Sequence, residues 1–307
     1  MNKYLPFLIG KYSTEPGLQM LAKAEQPEDR LVFQIDENYR RFFENKLKCR
    51  EENIGKYYLE CDLQQKTCMA IDKFLINRLL QEHSSQFVWI EDGVLKNQLT
   101  DESIEFDKDF QLVKSKNYGS VFDALCSQVQ EDLAVVQLTD DSEYLAAIHL
   151  CSPNHWSPAD KIGRPFAAIH EPVAGMEKTL KNYRPMLDSI VRSPQIFTRF
   201  AWGIATDDRL NHHPEPPKGI SSEEWNGRQV QYKNQNFFLR VERQNLIGFK
   251  EQNAFLFTIR TFFYPIHSLS TEEKRTLWTA VSTMPEASLD YKGLTKLLPD
   301  LKSRLFQ

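Results

Sequence analysis

Residues 236–263 read NFFLRVERQNLIGFKEQNAFLFTIRTFF. Two apolar runs, 236–243 and 254–263, flank a polar break, and both are rich in Phe, Leu, Ile and Thr or Val at strand length. This predicts two strong β-strands. Successive side chains of a strand point to opposite faces. Phe238, Arg240, Glu242 and Gln244 therefore share one face, and Leu239, Val241 and Arg243 share the other. A polar row between aromatic neighbours is unusual for a core strand. Arg240 and Glu242 either form an ion pair or, on a buried face, hold an acidic group and a cation respectively.

Outward from this stretch the chain reads as helices before and after a set of strands. Tyr39, Phe42, Phe43 and Leu47 fall at helical spacing in 36–52, and Met69, Ile71, Phe74, Leu75, Leu79 and Leu80 make one apolar face in 66–82. Short strands are expected at 86–90 and 94–98 around the turn at Asp92-Gly93. A helix over 118–133 leads into a strand at 134–139, and 144–150 is another run of strand length. A helix follows at 176–192, then a long irregular connection over 207–228. Ser270 and Thr271 before Glu272 and Glu273 mark the start of a helix at 271–283, and a Lys/Leu-rich helix closes the chain. Antiparallel strands flanked by helices predict an α+β fold. No glycine fingerprint for a dinucleotide and no phosphate-binding loop is present.

The chain has 307 residues and a net charge of −4, so no whole-protein attraction to nucleic acid or to a membrane surface is expected. No apolar run approaches the ~20 residues of a membrane span, and Tyr4 to Ile9 is too short for a signal segment. Cys49, Cys61, Cys68, Cys126 and Cys151 show no zinc-knuckle spacing. A soluble, cytoplasmic protein with reduced thiols is expected.

Chemistry concentrates in residues 149–175, HLCSPNHWSPADKIGRPFAAIHEPVAG. Irregular backbone carrying three histidines, Cys151, Trp156, Lys161 and Arg164 has the composition of a site. His170 follows the apolar run Phe166 to Ile169. It can present a ring nitrogen to a buried pocket as a haem ligand does, or be a core histidine bonded to backbone. His149 on its strand and Cys151 as a thiolate are alternative ligands, or packed core residues. His155, His212 and His213 lie in loops and are expected to be solvated. Trp156 and Trp202 wall a pocket or fill core.

Both stretches resemble the haem-dependent oxidative N-demethylase family. The first half of the pattern stands here as Cys151, Pro153, Trp156, Lys161, Ile162, Gly163, Arg164, Ile169, His170, Pro172 and Val173. The second stands as Leu239 to Gln244, Leu246 and Phe257 to Thr261. Tyr4 to Phe7 and Tyr291-Lys292-Gly293 are also similar, so the resemblance spans nearly the whole chain. Three departures stand out. Arg199-Phe200-Ala201-Trp202 lacks the family's usual Asn, Ala174 replaces a Pro, and Ile247 to Lys250 lacks a Leu-Pro turn.

The resemblance implies a single domain with a PAS-like antiparallel sheet. A helical part at about 1–85 and another at about 266–307 would flank a haem-binding core at about 86–265. It implies haem b with His170 on the iron, and O₂ activation with electrons from a separate NADPH-dependent flavin and iron–sulfur reductase. The product side is formaldehyde from a small secondary amine such as dimethylamine. Lys161, Arg164, Arg240, Arg243 and Arg260 are the basic residues inside the matching blocks, and at least two are expected to meet the haem propionates. Glu242 is expected to bind the amine or deliver protons, unless it is a structural pair with Arg240 or Arg243. The alternatives are a non-catalytic PAS-like haem sensor or ligand-binding protein and a scaffold without haem.

Overall fold

The computed structural model describes residues 3–90, 93–113, 117–232 and 235–306. From the N-terminus come β1 (Gln19–Met20), α1 (Tyr39–Asn53), β2 (Tyr58–Glu60), α2 (Gln65–Glu82) and the strands β3 (Phe87–Ile90), β4 (Val94–Asn97) and β5 (Glu102–Glu105). Then follow α3 (Val121–Cys126), β6 (Asp132–Leu138), β7 (Glu143–His149), α4 (Phe166–His170), α5 (Glu177–Lys181), α6 (Tyr183–Arg192) and β8 (Phe197–Ala205). The chain closes with α7 (Ser222–Trp225), β9 (Phe238–Phe249), β10 (Ala254–Pro265), α8 (Thr271–Ser282), α9 (Glu286–Tyr291) and α10 (Leu298–Phe306).

The fold is α+β. A seven-stranded sheet runs in the order β1-β8-β9-β10-β6-β7-β2, and β3-β4-β5 form a small second sheet. Every strand pair in both sheets is antiparallel. Its two edge strands, β1 and β2, come from the first 85 residues, so that part is not purely helical. Asp92 of the expected turn lies outside the described residues. Among the described residues no helix is long and apolar enough to cross a membrane.

Several segments depart from the sequence reading for identifiable reasons. The helix expected over 118–133 lasts only from Val121 to Cys126, capped by the Ser120 side chain accepting from the Asp123 N–H. Beyond it Gln128, Gln130 and Glu131 all turn inward. Glu131 accepts from the Gln34 N–H, Gln130 from the Asp36 N–H and Gln128 from Asn97. No helix can put three such closely spaced side chains on one face. The helix expected over 176–192 splits at Asn182, because Pro185 has no N–H to continue an earlier helix through it. The whole of β8 goes unassigned in the sequence reading. The capping box at Ser270 and Glu273 forms as expected.

The alternation of β9 sorts the molecule into two sides. Leu239, Val241 and Ile247 face the side packed by α2, α3, α8 and α10. Leu246 and Gly248 face α6, where Leu187, Ile190 and Val191 complete a third core with Phe166 and Ile169 of α4. That second side is covered only in part, and the remaining stretch of sheet carries Glu242.

Candidate functional site

The register fixes the floor of the site. Across β9, Glu242 stands between Ala201 of β8 and Thr261 of β10, and Arg240 stands between Gly203 and Phe263. Opposed residues share a face, so Arg199, Ala201, Gly203 and Ala205 line one row beside Gln244, Glu242, Arg240 and Phe238. From Ala201 to Ala205 the β8 row is low, because these residues are small. A Cβ built on Gly203 meets no atom within 4 Å, so the space above it is open.

Glu242 is half-buried, with one carboxylate oxygen accepting from Gln244 Nε2 at 3.0 Å and the other 3.4 Å from Arg240 Nε. Arg240 is held at its two terminal nitrogens, while its buried Nε has no hydrogen bond. It donates to the Ser152 carbonyl at 2.7 Å and to His212 Nδ1 at 3.2 Å. Since arginine only donates, His212 carries its proton on Nε2 and donates it to Asp207 at 2.9 Å. His212 and His213 are buried, not solvated, because 207–213 folds back on the 151–156 loop through the Asn154–His212 bridge. His155 adopts a left-handed φ of 60°, with its ring 5.2 Å from that of His212. Burial beside Arg228, His212 and Arg240 lowers its pKa to about 2.

His170 ends the short helix α4. Its Nδ1 lies 2.8 Å from the Phe166 carbonyl, and its ring stacks on Phe166 at 4.0 Å. A carbonyl only accepts, so Nδ1 bears the hydrogen and Nε2 keeps its lone pair. Burial, with smaller contributions from Lys161 and Arg199, lowers the pKa to about 4, so the ring is neutral at pH 7. Nε2 has no partner among the described residues. Lys161 places its ammonium 3.8 Å above Trp156. Burial lowers its pKa to about 8, while Glu242 and Asp160 raise it.

The other sequence candidates lie elsewhere. Arg243 and Arg260 are cross-strand partners on the opposite side of the sheet. Arg243 donates to the carbonyls of Asp29 and Leu31. Arg260 pairs with Asp36 at 2.9 Å and stacks over Phe42. Strand alternation separates both from Glu242. Arg164 is exposed, with only backbone contacts to Lys161 and Leu145. Trp202 also points to the far side, against Phe7 and Tyr12. His149 and Cys151 are fully buried there with Asp123 and Cys49. Asp132, His149 and Cys151 hold ligand atoms within 4.8 Å of one another, but both Asp132 oxygens already accept the Cys151 and Ser152 N–H groups.

The sequence reading missed three cations. Arg199 stands on β8 two residues before Ala201, with its Nε buried and unpartnered. Lys292 donates to the Trp202 carbonyl at 2.8 Å, and burial lowers its pKa to about 8 with Glu242 raising it. Arg228 packs against Gly293. Lys161, Arg199, Arg228 and Lys292 all keep accessible surface, yet burial is the largest influence on each. Each is thus set among protein groups with part of its side chain still open to solvent.

A family profile described as haem-dependent oxidative N-demethylase, alpha subunit-like, matches residues 23–302. The chain belongs to this family. The name of the N-demethylase family carries haem dependence and an oxidative activity, and "alpha subunit" names one component of a larger assembly. Residues that fit a haem lie on the Glu242 side of the sheet. They comprise a neutral histidine with a free nitrogen, a low floor of Ala201, Gly203 and Ala205, apolar walls at Phe166, Ile169 and Trp156, and cations without carboxylate partners.

Proposed function

We propose that the chain is the haem-binding, catalytic subunit of a monooxygenase that removes an N-methyl group from a small secondary amine and releases formaldehyde. The observation that carries this reading is His170, whose Phe166 carbonyl partner fixes the tautomer and leaves Nε2 free on the sheet side that holds Glu242. The net change is RNH–CH₃ plus O₂, two electrons and two protons, giving RNH₂, formaldehyde and water. Bound haem b supplies the O₂ chemistry, and the electrons come from a separate NADPH-dependent flavin and iron–sulfur reductase. The central strands β7-β6-β10-β9-β8, with α4 to α6 inserted between β7 and β8, support the PAS-like reading of the core and its single-domain organisation.

The chain's own residues do the rest. His170 holds the iron through Nε2, oriented by its Nδ1–H bond. Lys161 and Arg199, the two cations that act on His170, balance the propionates. Glu242 keeps lone pairs for an amine N–H, because Arg240 and Gln244 hold it in place without covering it. Trp156 and Phe166 exclude water. The test is formaldehyde release by the haem-loaded chain with a chemical reductant and an N-methyl amine. Stoichiometric formaldehyde is expected. A haem-loaded chain that binds the amine and releases none is a sensor.

A further inference from the structure

The charge balance around Glu242 has more cations than a simple amine enzyme needs. Arg240, Lys161, Arg199, Arg228 and Lys292 all lie on this side or edge of the sheet; Glu242 acts on all of them but Arg228, with Asp160 also beside Lys161 and Asp132 and Asp207 beside Arg240. Glu242 is already paired with Arg240. Among the described residues, the guanidinium groups of Arg199 and Arg228 and the ammonium groups of Lys161 and Lys292 have no ion pair. Two propionates would balance Lys161 and Arg199. Arg228 and Lys292 then remain.

Their positions are built, not incidental. Lys292 is tied to the carbonyl of Trp202, the neighbour of Ala201, and Ala201 stands directly across from Glu242. Arg228 is held by the next residue along, Gly293. A Cβ there would lie 2.4 Å from Arg228 Cδ, and the φ of +67° also favours glycine. Ala201 stands where the resemblance leads one to expect Asn, so the space beside Glu242 is wider and its wall lacks an amide.

A protonated dialkylamine would add positive charge to this surplus, which is unfavourable in an enclosed site. A zwitterion adds no net charge and offers a carboxylate to the two remaining cations. We propose that Arg228 and Lys292 form a carboxylate-binding subsite beside Glu242, and that the substrate class is an N-methylated amino acid. This rests on the haem reading for the reaction, but the subsite itself does not require it.

The test is calorimetric titration of the haem-loaded chain with N-methylglycine, dimethylamine and acetate, with the Soret band recorded on the same samples. The wild-type chain binds N-methylglycine at least about tenfold more tightly than dimethylamine, the size of one charge-assisted hydrogen bond. Arg228→Gln and Lys292→Met each weaken N-methylglycine about tenfold and leave dimethylamine unweakened. Arg228→Lys retains the preference, which excludes misfolding as the cause. Equal or tighter binding of dimethylamine by the wild type overturns the proposal, as does equal weakening of both ligands in the variants. A chain without a Soret band that shows the preference keeps the subsite and loses the haem reading. A chain with the band and no preference keeps the haem and loses the subsite.

Discussion

Glu242 and Asp72 show how one chemical group, the carboxyl, serves two ends. Glu242 is half-buried and keeps Arg240 and Gln244 as partners, so its charge is held ready. Glu242→Gln preserves shape and one acceptor. It should leave the Soret band intact, abolish the spectral shift on adding an N-methyl amine and lower formaldehyde release by about 10² or more. It should cost only about 1–2 kcal/mol of stability, since Arg240 retains Ser152 and His212. Normal demethylation by this variant would make Glu242 structural.

Asp72 is spent on the core instead. Burial on α2 raises its pKa to about 7, outweighing the Cys68 thiol that donates to it, and its Oδ1 has no partner. A carboxyl with a raised folded pKa favours the fold below its unfolded value near 4, and that contribution is lost as pH rises to about 7. Asp72→Asn should therefore stabilise the chain by roughly 2–4 kcal/mol at pH 8 and by little at pH 4, read as the Tm difference at the two pH values. An unchanged difference would mean that folding does not raise the Asp72 pKa.

At the scale of elements, β9 and β10 were the most legible part of the sequence. Alternation alone put Arg240 and Glu242 on one side and Arg243 on the other, and the structure keeps that division. What alternation could not say is which side is the site, since both carry buried arginines. The row of β8 was not legible because Arg199, Ala201, Gly203 and Ala205 have no apolar period. A strand that floors a cavity lacks the pattern by which core strands are found. Arg228 and Lys292 approach the β8 edge from distant segments, and no local spacing foretells that. His212 was misjudged because its burial comes from one loop pairing with another.

Two glycines on this side of the sheet separate cavity from packing. Gly203 has open space above it, so Gly203→Leu should leave the unfolding free energy within about 1 kcal/mol of the wild type and block haem uptake. Gly248 lies under α6, where an added Cβ falls 2.2 Å from the Ile190 carbonyl. Gly248→Ala should therefore cost about 1–3 kcal/mol. Thermal unfolding with haem titration reads both. Full haem uptake by Gly203→Leu would place the cavity elsewhere.

In the whole molecule, both chain termini pack against the same side of the sheet. Tyr4 and Phe7 join α8 and α10 in one core, while α2 and α3 fill another. This leaves the opposite side to α4, α5, α6 and the two long loops, which cover Leu246 and Gly248 but leave Gly203 open. The site is thus a place where the sheet is incompletely roofed. The most direct measurement of the central claim is the absorption spectrum of the chain titrated with haemin, alongside His170→Ala and His149→Ala. A saturable Soret band at one haem per chain is expected for the wild type and for any folded His149→Ala protein, and its loss in a folded His170→Ala protein. An unchanged band in His170→Ala would contradict the central claim.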